Sequence, residues 1–150
     1  MLASLYRSAA VWTALGLASG LGYRELTRQF AYTGDTQLAV GHTHALALGT
    51  TMMLIFLALV KVFALDADRR LRWFLWVYNI GLAITFGMLN AKGILQVLGS
   101  PMATSKALAG ISGLGHMTLT AAFVLLFLIL GRAIRTAPAV KDAEPASVGA

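Results

Sequence analysis

The sequence predicts an all-α protein, an integral membrane four-helix bundle with both termini cytoplasmic. Three observations predict it. The chain is 58% hydrophobic and only 12% charged, against roughly 25% charged in soluble domains. Its apolar residues collect into four runs, each near the about 20 residues that a helix needs to cross a bilayer. Its basic residues gather beside alternate ends of those runs, and that asymmetry sets orientation in a membrane.

The first run extends from about Leu5 to Tyr23. It is longer than the roughly 7–15 apolar residues of a cleaved signal peptide, so it reads as a retained helix. Within it "GLASG" puts Gly16 and Gly20 on one face, a small-xxx-small pattern that lets helices approach closely. "RELTRQFAYTGDTQ" breaks the pattern, and the second run extends from about Leu38 to Phe63. After "LDADRRLR" comes the third, from about Trp73 to Leu98. After "GSPMATSK" comes the fourth, from about Ala107 to Ile134. Residues 1–135 therefore form one four-span domain. Residues 136–150, "TAPAVKDAEPASVGA", read as a disordered cytoplasmic tail.

Arg7, the group Lys61, Arg69, Arg70 and Arg72, and the group Arg132, Arg135 and Lys141 outweigh Arg24, Arg28 and Lys106. The richer side is cytoplasmic. Trp73 and Trp76 follow Arg72 and mark that interface. The net charge of +6 thus reports topology. No nucleic-acid motif accompanies it, so the partners are the lipid bilayer and other proteins. The absence of cysteine excludes disulfides, iron–sulfur clusters and Cys-based zinc sites.

Function is read from the polar residues inside the spans. His42 and His44 lie roughly 6–9 Å below the outer end of the second helix, and His116 lies ~13 Å into the fourth. Asn90, Lys92 and Gln96 fall in the outer half of the third, and Tyr23, Arg24 and Glu25 close the first. The cytoplasmic half reads as nearly pure hydrocarbon. A lone membrane histidine is often a helix–helix hydrogen bond worth only ~1 kcal/mol. Three at one depth, with a lysine nearby, point to a site instead. Met52, Met53, Met88 and Met117 lack the regular spacing of a metal relay and read as packing. "GISGLGH" sets Gly110, Gly113 and Gly115 before His116. That bare backbone suits a flat ligand or ordinary helix packing equally.

Residues two apart on an α-helix are rotated by about 200°, so His42 and His44 face opposite ways and cannot hold one metal ion from a regular helix. One of them faces the bundle interior and His116. The other faces lipid or a second subunit, and lipid is the costly choice. The pair therefore predicts a homo-oligomer with the site near its interface. Carboxylates are limited to the helix ends, as at Glu25 and Asp35, which leaves little for a catalytic zinc site. Haem needs axial imidazoles, an apolar slot and cations for its propionates. His42 and His44 supply metal ligands, His116 a ligand or a neighbour of one, and Arg24, Arg28, Lys92 or Lys106 the cations. No C-x-x-C-H is present, so the cofactor is a non-covalent haem b. Bis-histidine ligation leaves no open position on iron. That favours electron transfer, with a redox partner or quinone, or haem and gas sensing, and leaves open whether the protein is an enzyme. The alternative is a small transporter or channel with a histidine proton relay or metal-ion site. A purely structural subunit is a further one.

"GYRELT", "TGDTQLAVGHTHALALG", "VYNIGL" and "GISGLGH" together closely resemble an uncharacterised bacterial family of small four-helix membrane proteins, a domain of unknown function. The resemblance covers residues 5 to 135 and implies topology and the bacterial cytoplasmic membrane, but no activity. The "HTH" followed by Gly49 is also similar to the His-x-His helix of haem–copper oxidase catalytic subunits. Those subunits hold three pseudo-equivalent groups of four helices, and the two histidines serve two different haems. The resemblance implies a homotrimer in which each haem takes His42 from one subunit and His44 from the next. His116 would then bond a propionate or a ligand imidazole. The copper-binding histidines have no counterpart here, so oxygen or nitric oxide reduction does not follow.

Overall fold

A computed structural model describes residues 1–136 as four long helices joined by short loops, with no strand among the described residues. The helices are α1 (Leu2–Gln29), α2 (Leu38–Val62), α3 (Arg70–Val97) and α4 (Lys106–Thr136). The all-α fold and its four elements are as expected, with ends within a few residues except in α1, which runs one and a half turns past Tyr23. Thr136, the first residue of the expected tail 136–150, ends α4, and residues 137–150 lie outside the described residues. Three helices, α2, α3 and α4, are long and apolar enough to cross a membrane. In α1, Arg7 and the many Ala, Gly and Ser residues dilute the hydrocarbon.

Local chemistry sets the boundaries. Asp68 accepts the backbone N–H of Arg70 at 2.9 Å, satisfying an orphan donor at the start of α3. Gly99 ends that helix at φ +65°, where a side chain would be strained. The N–H of Ser100 then reaches back to the Leu95 carbonyl at 2.9 Å. Ser105 accepts the N–H of Ala107 at 3.2 Å and opens α4.

The bundle is two close hairpins laid together. In the first, α1 meets α2 where side chains are smallest: Gly16 faces Ala45 and Leu46, Gly20 faces His42, and Trp12 lies on Gly49. In the second, a Cβ at Gly81 would stand 2.9 Å from the Leu119 nitrogen, and one at Gly115 would stand 2.9 Å from that of Thr85. Aromatic rings fill the space between the hairpins. Phe56 packs edge-on against Phe74 at 4.9 Å and Tyr78 at 5.1 Å, and Tyr78 against Phe123 at 5.6 Å.

Two features depart from the expected picture. The first is that α2 is not α-helical throughout, because Ala45–Thr51 turns as a π-helix directly after His44. Gly41, Ala45, Gly49 and Met53 are all buried at a spacing of four. On an α-helix that spacing drifts about 40° per step; the wider π turn removes much of the drift and keeps the small residues aimed at α1. The second is that the half opposite the histidines, expected to be nearly pure hydrocarbon, carries polar side chains bonded to one another and to the backbone. There Trp12 Nε1–H donates to Asn79 Oδ1 at 2.8 Å, and the Tyr78 hydroxyl donates to the Leu48 carbonyl, inside the π segment, at 3.0 Å.

Candidate functional site

The three histidines lie toward the end of the bundle that carries the α1–α2 and α3–α4 loops, here called the distal end. Contacts between helices fix their levels. Leu38 sits beside Gly93 and Gly41 beside Asn90. His42 and His44 are therefore level with about residues 89 and 87 of α3, at the one-for-one step of antiparallel helices. Gly115 sits beside Thr85, so His116 is level with about residue 84. All three fall within roughly 7 Å along the axis.

A shared level is not convergence. Among the described residues no three His, Cys, Asp or Glu side chains gather where one metal ion could sit. His116 is exposed on α4, although its neighbour Gly115 is buried against α3. It therefore does not face an interior shared with His42. His42 and His44 are each half-buried, and His42 lies against Gly20 of α1.

The ring nitrogens distinguish them. His44 Nδ1 is 2.9 Å from the Val40 carbonyl, and His116 Nδ1 is 3.0 Å from the Ser112 carbonyl. A carbonyl only accepts, so in both rings Nδ1 donates a proton and Nε2 keeps its lone pair. This is how metal-binding histidines are commonly held, with one nitrogen oriented by a backbone oxygen and the other free to ligate. His42 differs. Its Nδ1 is buried with no partner, and its Nε2 is 3.4 Å from the Thr43 hydroxyl. A buried polar atom without a partner costs about 1–3 kcal/mol.

The expected cations surround the same end. Arg24 and Arg28 are exposed on α1, and Lys92 is half-buried on α3. The only ion pair among them in the described residues is a 4.0 Å contact from Arg28 to Glu25, both well exposed. Such a pair is worth little, so the guanidinium is free to turn elsewhere. Lys106 is exposed where α4 begins.

Sequence reasoning passed over Ser19. Its hydroxyl donates to Asn90 Oδ1 at 2.8 Å, and Asn90 Nδ2 donates to the Phe86 carbonyl at 2.8 Å. This pair lies beside Gly41, one residue before His42. A serine in "GLASG" reads as a small packing residue, and nothing local announces a partner 71 positions away. The loop before α2 is also tied to α3: the Thr36 hydroxyl donates to the Gly93 carbonyl at 3.0 Å, and the Gln37 N–H to Gln96 Oε1 at 2.8 Å. These bonds hold the helix start that aims both histidines.

No curated protein and no solved structure matches the chain. Residues 2–133, which take in nearly all of the four helices, match the family described as "Protein of unknown function (DUF2871)", and the chain belongs to that family.

Proposed function

We propose that the chain spans a bacterial cytoplasmic membrane with four helices, termini inside and distal end outside. There it binds haem b between copies of itself, for electron transfer or haem and gas sensing. The observation that carries this reading is the Nδ1–H of His44 bonded to the Val40 carbonyl, which leaves Nε2 free. The assembly is a homotrimer. His44 of one copy and His42 of the next are the axial ligands, since copies in one membrane share a depth and the two residues face apart. His42 Nε2 has only a long 3.4 Å contact to the Thr43 hydroxyl, which a metal ligand bond would replace. His116, whose Nδ1 is held by the Ser112 carbonyl, would bond a propionate, as would Arg24, Arg28 and Lys92. Haem would supply a reversible one-electron centre.

The competing reading is a transporter with a proton relay. A relay through the histidines needs them within reach of one another inside the bundle, whereas His116 is exposed on α4, on the side away from its buried neighbour Gly115.

Titrating haemin into the purified protein tests the proposal. The wild type is expected to give a low-spin Soret spectrum, and His42→Ala and His44→Ala are each expected to lose it. His116→Ala should keep the band shape while binding more weakly. A full, unshifted low-spin spectrum in either of the first two variants would rule out the shared-ligand arrangement.

A further inference from the structure

The opposite end of the bundle carries a second site. We propose that the cleft between the α2–α3 turn and the end of α4 binds the phosphodiester headgroup of an anionic phospholipid. This inference shares the membrane placement argued above and needs no haem.

The cleft has a volume of about 740 Å³. Val62, Phe63 and Ile129 give it an apolar wall, and Arg69 and Arg132 line it with charge. Neither arginine has a carboxylate within ion-pair distance among the described residues. The one acid in the lining, Asp68, is already engaged. Arg70 holds it through Nη2 at 2.8 Å, Nε at 3.1 Å and the backbone N–H at 2.9 Å. The Arg70 side chain, with a weaker pull from Arg132, keeps the Asp68 carboxyl below its ordinary range, so it is ionised and held mainly by Arg70. What remains is two cations above an apolar floor, the pattern of headgroup-binding pockets at the cytoplasmic face.

Depth agrees with this assignment. Trp73 and Trp76 are 69% and 63% exposed on α3, as residues of an interfacial aromatic belt are. Gly81 sits beside Leu119, so Trp73 is level with about residue 127, and Arg132 lies roughly 8 Å farther out. A headgroup layer is about 5–8 Å thick on each side of the hydrocarbon. The arginines are therefore at phosphate level, with Val62, 74% exposed, beside them in the cleft wall. Guanidinium groups suit a phosphate oxygen pair better than ammonium does.

The test uses the full chain in a neutral detergent, titrated with phosphatidylglycerol, phosphatidylcholine or inorganic phosphate, with the melting temperature as readout. Phosphatidylglycerol should raise it by several degrees, and the other two should leave it unchanged. In the double variant Arg69→Gln, Arg132→Gln the half-saturating mole fraction should rise about 25-fold, at roughly a factor of five per arginine. Arg7→Gln, Arg72→Gln, at exposed arginines outside the cleft lining, should respond as the wild type does. Both pairs are exposed, and circular dichroism would verify that each variant folds. An equal shift with phosphatidylcholine, or a full response in the Arg69, Arg132 variant, would overturn the site. A matching shift with inorganic phosphate would make it a simple anion site and overturn the lipid assignment. No shift in the full chain would mean that something else fills the cleft. A protein that stays soluble without detergent would instead undo the membrane placement itself.

Discussion

Replacing Gly81 with alanine tests how α3 and α4 meet. The new methyl would stand 2.9 Å from the Leu119 nitrogen and 3.2 Å from the Gly115 carbonyl oxygen. Both are backbone atoms, which cannot rotate away as a side chain can. Contact distances begin at about 3.5 Å, so the helices would have to separate by roughly half an ångström along a shared face. Overpacking of this kind costs about 1–3 kcal/mol. Gly115→Ala meets the same obstacle from the other side, 2.9 Å from the Thr85 nitrogen and 2.5 Å from its hydroxyl. Gly113, on the same helix, has nothing within 4 Å of an added Cβ. There alanine costs nothing in packing and gains up to about 1 kcal/mol of helix propensity. The substitution is chemically the same at both positions, so helix propensity cancels in the difference between Gly81→Ala and Gly113→Ala, which isolates the packing term, at about 1–3 kcal/mol. Unfolding in mixed micelles with a rising fraction of denaturing detergent, followed by circular dichroism, measures it. The double variant Gly81→Ala, Gly115→Ala should be less than additive, because one separation relieves both contacts. If Gly81→Ala is as stable as Gly113→Ala, the described register of α3 on α4 is wrong.

Three other expectations are open to test. Topology reporters fused at residue 150 and within residues 66–70 should both report the cytoplasm, and periplasmic activity at either would refute the orientation. Trp12→Phe keeps the edge-on contact with Phe86 but leaves Asn79 Oδ1 without its donor. It should cost about 1–3 kcal/mol in the same micelle assay, so a neutral result would remove that bond from the account of the core. Haem that bridges copies stabilises the assembled state by linkage. Mass measurement should therefore find a trimer that weakens when haem is removed, and a monodisperse haem-loaded monomer would contradict the interface.

The helices were legible because each is an apolar run closed by a strong break, such as "LDADRR" or "GSPMATS". The shared level of the histidines along the bundle followed from counting along those runs. What could not be counted was azimuth. Which way α4 faces is set by Gly115, Leu119, Ala122, Leu126 and Ile129, all buried on one stripe. Nearly every neighbour of that stripe is apolar too, so no polar face marks it, and the exposure of His116 on the outside stayed hidden. The π segment was unreadable for a related reason. Its signal is Gly41, Ala45, Gly49 and Met53 repeating at four, which on a hydrophobic helix looks like one more small-residue stripe. The anchoring of His44 and His116 by carbonyls four residues back depends on a side-chain rotamer, and sequence does not specify one.

The central claim is that the distal histidines hold haem, and the visible spectrum of the protein purified from haem-replete cells tests it most directly. A sharp Soret band with low-spin features, shifting on reduction and accounting for about one haem per chain, as one His42 and one His44 per chain require, is the predicted result. A colourless protein that also takes up no haemin when titrated would contradict it.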